Sequence, residues 1–131
     1  MSFHVLDTDI LSLLRLAHPK VCAAAALIAP ANLAVSVITV EEQLTGWYTY
    51  LRRAKTPATV AKAYEELARN VQDLAGLRIL PLSLPAMSRY EQLQKLNLGV
   101  RKPDLRIAAI VLEHDATLVT RNEKDFQRVP G

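Results

Sequence analysis

Asp104–Phe126 reads DLRIAAIVLEHDATLVTRNEKDF, and its character changes twice within that run. LRIAAIVL carries one charge in eight residues and, opened by Pro103 and Asp104, predicts the most apolar helix of the chain. TLVT predicts a short strand, and a polar turn holding Asn122 and Asp125 follows it at once. A helix, a strand and then an acid-bearing turn is the pattern of an α/β fold, in which ligands gather outside the carboxyl ends of parallel strands.

The same pattern recurs upstream. FHVL predicts a buried strand ending at Asp7, and DILSLLRLA spaces Ile10, Leu13, Leu14 and Ala17 as a helix that Pro19 stops. VCAAAALIA predicts a second helix ending near Pro30, with Cys22 as a small core residue. LAVSVI is a β-branched strand leading into a helix from about Thr39 to Ala54, with Leu44, Trp47, Tyr48 and Leu51 on its apolar face. Pro57 suits the first turn of the next helix, which carries Val60, Tyr64, Leu67, Val71 and Leu74 before Gly76 ends it. RILPL is the third strand, and a helix from Pro85 to Leu96 aligns Met87, Tyr90, Leu93 and Leu96 before NLG closes it. Alternating strands and helices imply right-handed crossovers, hence a mostly parallel sheet of four or five strands flanked by helices. Residues 1–131 suit a single α/β domain.

Half of the residues are hydrophobic and 22% are charged, which is the balance of an ordered globular chain. Sixteen basic against thirteen acidic residues give +3, a mild excess compatible with an anionic partner. The basic residues cluster at Arg52, Arg53 and Lys55, at Arg101 and Lys102, and at Arg121, Lys124 and Arg128. Around an acidic pocket such clusters could hold a polyanion by its phosphates. The single Cys22 excludes a disulfide or a cysteine metal site within one chain. No run reaches the roughly 18 to 20 apolar residues of a membrane span, so a cytoplasmic, reducing location and no membrane partner are expected.

Each acid also has a structural role open to it. Asp7 could cap the helix it precedes, although Asp9 is the better candidate, the two roles being exchangeable. Thr39 and Glu42 fit a capping box, and Asp104 suits the positive end of its helix. What those roles leave unexplained is that all four polar sites, Asp7, Glu42, Asp104 and the Asn122/Asp125 pair, fall at strand-to-helix junctions of one sheet. Carboxylates brought close resist joint ionisation, and a cation removes the conflict. Oxygen-only ligands favour Mg²⁺ or Mn²⁺ over zinc, and the histidines at 4, 18 and 114 have no ligand spacing. No GxSxG elbow, P-loop or GxGxxG occurs.

VLDTDILSLL, SVITVEEQLTG and DLRIAAIVLEHDATLVTRNEKDF, in that order, resemble the PIN domain, specifically the VapC-type ribonuclease toxins of bacterial toxin–antitoxin pairs. The resemblance implies a PIN-like three-layer fold and a Mg²⁺- or Mn²⁺-dependent endoribonuclease that hydrolyses RNA phosphodiesters in molecules such as tRNA. By position, Asp7, Glu42 and Asp104 match the family's principal acids, Asn122 and Asp125 fall at a variable fourth position, and Thr8 and Thr120 match supporting positions. Lys102 and Pro103 depart from the smaller or apolar residues usual there, and relatives commonly continue past VPG through a short final strand. The partners implied are an RNA substrate, a VapB-type antitoxin and a second copy in a homodimer. For the dimer contact, the Met87, Tyr90, Leu93, Leu96 row and the helix from Pro57 to Leu74 are the expected apolar surplus.

Two other readings remain at this level. One is a catalytically inactive PIN-like binding module, against which all three acids are present. The other is a haloacid-dehalogenase-type phosphatase, whose D-x-D motif is met at Asp7 and Asp9, but Leu11 stands where that motif has Thr or Val.

Overall fold

The protein is described by a computed structural model over residues 2–131. In chain order the elements are β1 (His4–Leu6), α1 (Thr8–Arg15), α2 (Pro19–Ala26), a 3-10 turn (Pro30–Asn32), β2 (Leu33–Ser36), α3 (Val37–Arg53), α4 (Pro57–Ala75), β3 (Arg78–Leu80), α5 (Leu84–Gln94), α6 (Lys102–Glu113), β4 (Thr117–Val119) and α7 (Glu123–Phe126). The four strands form one parallel sheet in the order β3-β2-β1-β4. The chain steps outward from β1 to β2 and β3, then returns to the opposite side of β1 for β4. That reversal puts a topological switch point between β1 and β4, where α/β sheets open a crevice at their carboxyl ends.

Alternation along the short strands divides the core into two layers. Val5 and Ala34 face one side, where Ile38, Ala86, Ile107 and Ile110 pack on them; Leu6 and Val35 face the other, with Ile10, Leu11 and Leu74. Helices thus cover both faces, giving the three layers expected of a PIN-like fold. Ile107 and Ile110 are almost wholly buried, each stabilising the fold by about 1.5 to 3 kcal/mol. The density of apolar residues that singles out α6 in the sequence is therefore the demand of a helix lying on the sheet.

Several expectations are corrected. The Met87, Tyr90, Leu93 row is not an external face: Tyr90 and Leu93 are buried in a third cluster with Leu105 and Ala109 of α6, and Met87 packs against it. Only Leu96, past the end of α5, is open, at 53% exposure. Periodicity identifies an apolar stripe but cannot say whether a neighbouring helix covers it. On α4 the buried positions are Ala63, Asn70 and Leu74, which turns Tyr64 and Val71 outward. The strand predicted as LAVSVI stops at Ser36, because Ser36 caps α3 by accepting from Thr39 N at 3.2 Å. Cys22 is half-buried on α2, a helix with no fully buried residue, and not in the core. Asn97 and Gly99 take positive φ (50° and 73°) to turn the chain from α5 toward α6.

Candidate active site

Asp7 continues β1 by donating its backbone N–H to Val119 O at 3.1 Å, which places its side chain at the switch point beside β4. Oδ1 accepts from Ile10 N at 2.9 Å, so Asp7, not Asp9, caps α1. Oδ2 accepts from the Thr120 hydroxyl, and Thr120 Oγ1 in turn accepts from Asn122 N at 2.9 Å. One threonine therefore ties the first acid to the turn after β4. Burial pushes the Asp7 carboxyl above its usual range; the Thr120 and Ile10 bonds oppose this, and the charges of Asp9 and Asp104 add to it.

Glu42 lies on the second turn of α3. Its expected capping box with Thr39 does not form, because Ser36 takes the cap and Thr39 is buried inside the first turn. Glu42 Oε1 instead accepts from Thr8 Oγ1 at 2.8 Å. With the Thr8 proton committed there, Thr39 is the donor in the 3.2 Å Thr39–Thr8 contact, and Ser36 Oγ reaches Thr39 Oγ1 at 3.5 Å. Hydroxyls from β2, α3 and α1 thus run in line to this carboxylate.

Asp104 is buried in the first turn of α6, and Arg101 reaches it with Nε to Oδ2 at 3.3 Å and Nη2 to Oδ1 at 3.5 Å. Hydrogen bonding to Asp104, then its charge and those of Glu42 and Asp9, raises the Arg101 pKa further still. Because Arg101 is mostly exposed, such a pair is worth about 0 to 1 kcal/mol.

Asp7, Thr8, Asp9, Glu42, Arg101, Asp104 and Asn122 line one cleft of about 220 Å³, with Ile107 and Phe126 as its apolar walls. Asn122 faces this cleft, whereas Asp125 stands behind it, accepting from Asn122 Nδ2 at 3.0 Å and 3.9 Å from Arg128. Asn122→Ala and Asp125→Ala are expected to slow any cleavage less than loss of Asp7 does, Asn122→Ala the more strongly of the two, as measured by initial rates on folded proteins. An Asp125→Ala protein as inactive as Asp7→Asn would move Asp125 into direct contact with the chemistry.

Two residues of the cleft take places other than those their sequence context suggests. The sequence offers Asp9 for capping, and Arg101 for a basic rim around the pocket, not as a partner of an acid inside it; the i,i+3 spacing of Arg101 and Asp104 is the signal for that pairing. A wider groove of about 600 Å³ adjoins the cleft at Glu42, running between α1, α3 and α4 past Gly46, Trp47 and Tyr50. Its charges are largely tied up in the pairs Arg15–Asp73 and Arg69–Glu66, whereas the small cleft gathers four carboxylates against one guanidinium. A second groove, with Arg121, opens from the cleft at Asp9 and Asn122.

Among the described residues, no group of three or more histidine, cysteine, aspartate or glutamate side chains is placed to hold a metal ion. Each of the three principal acids is engaged by a protein donor instead. Mg²⁺ typically takes only one or two carboxylates and keeps its waters. The oxygen donor set and the burial of Asp7 among like charges fit such an ion.

The PIN domain family model matches residues 4–131. The chain belongs to the PIN-domain family. Its fold is similar to that of a toxin–antitoxin complex from Klebsiella pneumoniae (28% identity, 97% of this chain and 92% of that one, TM-score 0.74). It is likewise similar to VapBC2 from Rickettsia felis bound to a DNA fragment from the promoter (27% identity, 98% and 93%, TM-score 0.76). DNA-bound VapBC from Salmonella typhimurium shares the fold at 21% identity (100% and 95%, TM-score 0.79). No curated protein matches significantly. These PIN neighbours bear out the VapC-type resemblance of the three sequence blocks. No helix among the described residues is long and apolar enough to cross a membrane.

Proposed function

We propose that this PIN domain is the VapC-type toxin of a toxin–antitoxin pair, a Mg²⁺- or Mn²⁺-dependent endoribonuclease that hydrolyses RNA, tRNA being the substrate type to test first. The observation that carries this reading is the convergence of Asp7, Glu42 and Asp104, from three separate elements, on one cleft at the carboxyl end of the sheet. Asp7 and Asp104 would hold the ion and Glu42 would orient its waters. A divalent ion bound there supplies charge neutralisation of a phosphate oxygen and a water acidic enough to attack at neutral pH.

The protein's own part is positioning. Thr120 and Ile10 N hold both oxygens of Asp7 in one orientation, and Thr8 directs Glu42. Asn122 is an uncharged donor and acceptor at the cleft edge, suited to an RNA backbone or base. Arg121 in the adjoining groove offers phosphate contact outside the acids. Cleavage by such a site does not need the 2′-hydroxyl as nucleophile, so products should carry 5′-phosphate ends.

The antitoxin complexes among its structural neighbours support a VapB-type partner, and the groove beside Glu42 is wide enough for a peptide segment. A homodimer is part of the same reading. Its contact would use open apolar residues such as Leu84 and Leu96, not the buried Leu93.

Purified protein incubated with a tRNA transcript should cleave it with Mn²⁺ or Mg²⁺ and stop on addition of EDTA, as read on a denaturing gel with end-group analysis. Cleavage that persists in EDTA, or none with any divalent ion, defeats the proposal. Metal binding without cleavage would favour the inactive binding module.

A further inference from the structure

We propose that Arg101 is the cleft's internal counter-cation: it neutralises Asp104 while no divalent ion is bound, yields that carboxylate to the ion, and then takes a phosphate of the RNA. This rests on the metal-dependent nuclease reading above. Arg101 is the one positively charged side chain lining the acidic cleft among the described residues, which it shares with Asp7, Asp9, Glu42 and Asp104.

The acids differ in what holds them. Both oxygens of Asp7 and one of Glu42 are bound by Ile10 N and Thr8 Oγ1 of α1 and by Thr120 Oγ1 directly after β4. Asp104 has no donor but Arg101 among the described residues, at 3.3 and 3.5 Å. Those contacts are longer than the roughly 2.7 to 2.9 Å of a well-seated charge-assisted bond. The Arg101 side chain is 69% exposed, against 12% for Asp104. A buried acid is thus matched with a detachable base.

Helix capping does not explain the arginine. Arg101 occupies the N-cap of α6, where Ser, Thr, Asp or Asn is preferred, and it makes no side-chain cap bond. Once Asp104 turns to a metal ion, the guanidinium is left at the mouth of the cleft beside the reacting phosphate. Its planar fork of donors matches two phosphate oxygens at once. Exchange of Asp104 for phosphate would therefore couple metal binding to substrate binding through one side chain.

The test compares wild type with Arg101→Gln and Arg101→Lys, each checked for folding by circular dichroism. Calorimetric titration with Mn²⁺, without RNA, should show Arg101→Gln binding the ion about two- to fivefold more tightly, the range that a surface ion pair can withhold. Anisotropy of labelled tRNA, with Ca²⁺ in place of Mn²⁺ so that binding is read apart from cleavage, should show about tenfold weaker RNA binding by Arg101→Gln. The logarithmic salt dependence of that binding should be shallower by about one unit. Arg101→Lys should fall between the two in both measurements.

Equal or weaker Mn²⁺ binding by Arg101→Gln, or no Mn²⁺ binding by either protein, overturns the counter-cation role. Unchanged RNA affinity and salt slope overturn the phosphate role. A wild type that binds Mn²⁺ yet never cleaves RNA defeats the nuclease reading, and the Mn²⁺ comparison still decides the role of Arg101.

Discussion

The Asp7→Asn protein is expected to lose RNA cleavage by about a thousandfold while melting no lower than its parent at pH 7. The first half follows from removing a charged oxygen at the centre of the proposed site, a loss of several kcal/mol in the transition state at about 1.36 kcal/mol per tenfold. The second follows from what the carboxylate costs the fold. Burial, with Asp9 and Asp104 nearby, raises the Asp7 pKa above its ordinary 3.8, so the folded protein holds that proton more tightly than the unfolded chain does. Between the ordinary and the raised value the native state binds more protons. Stability therefore falls as pH rises through that window, and the penalty is complete once the pH lies above the raised value. Asparagine cannot ionise, and its oxygen can still accept from Ile10 N, since Asn and Asp are comparable caps. Thermal melts from acid to neutral pH should show wild type losing ground to Asp7→Asn as pH rises, and cleavage assays on the same samples should show the lost activity. A folded, fully active Asp7→Asn protein would remove Asp7 from the mechanism, and one that melts far lower would show that its role is chiefly structural.

Leu93→Asp is expected to unfold the protein, not to dissociate it. Leu93 is 7% exposed and packs among Tyr90, Leu105 and Ala109 between α5 and α6. Burying an unpaired carboxylate there adds several kcal/mol to the loss of a leucine's packing, against a total stability that for domains is typically about 5 to 15 kcal/mol. Circular dichroism and denaturant titration should show a protein largely unfolded or with its midpoint sharply lowered. Leu96→Asp, at an open position two residues beyond the end of α5, should keep the native fold by circular dichroism. If Leu93→Asp kept the native midpoint and changed only the mass seen by light scattering, the α5 row would be an interface after all.

The elements themselves were legible because the signals that specify them act over a few residues. Pro57 begins α4, and Gly76 ends it. TLVT and RILPL contain β4 and β3, while LRIAAIVL lies within α6. The acids Asp7, Glu42 and Asp104 were legible as candidates for the same reason, each standing beside an apolar run. Even locally, the capping acceptor was not legible: the sequence favours Asp9 and Thr39, whereas Asp7 and Ser36 accept the cap bonds, because where the strand ends is set by the sheet.

By itself the sequence determined the alternation of strands and helices, the acids at their junctions and the PIN-type pattern those acids make. The tertiary structure alone decided that β4 returns to the far side of β1, and so that Thr120 meets Asp7 across 113 residues of chain. It decided that Asn122 enters the cleft while Asp125 stays behind, that the Arg101–Asp104 pair shares its cleft with the distant Asp7 and Glu42, and that the Met87–Leu93 row faces α6 instead of a partner. The reason is common to all of them. Period, cap and turn preferences depend on near neighbours, whereas strand order, burial and ion pairing depend on which distant surfaces the chain must cover to remove its apolar residues from water.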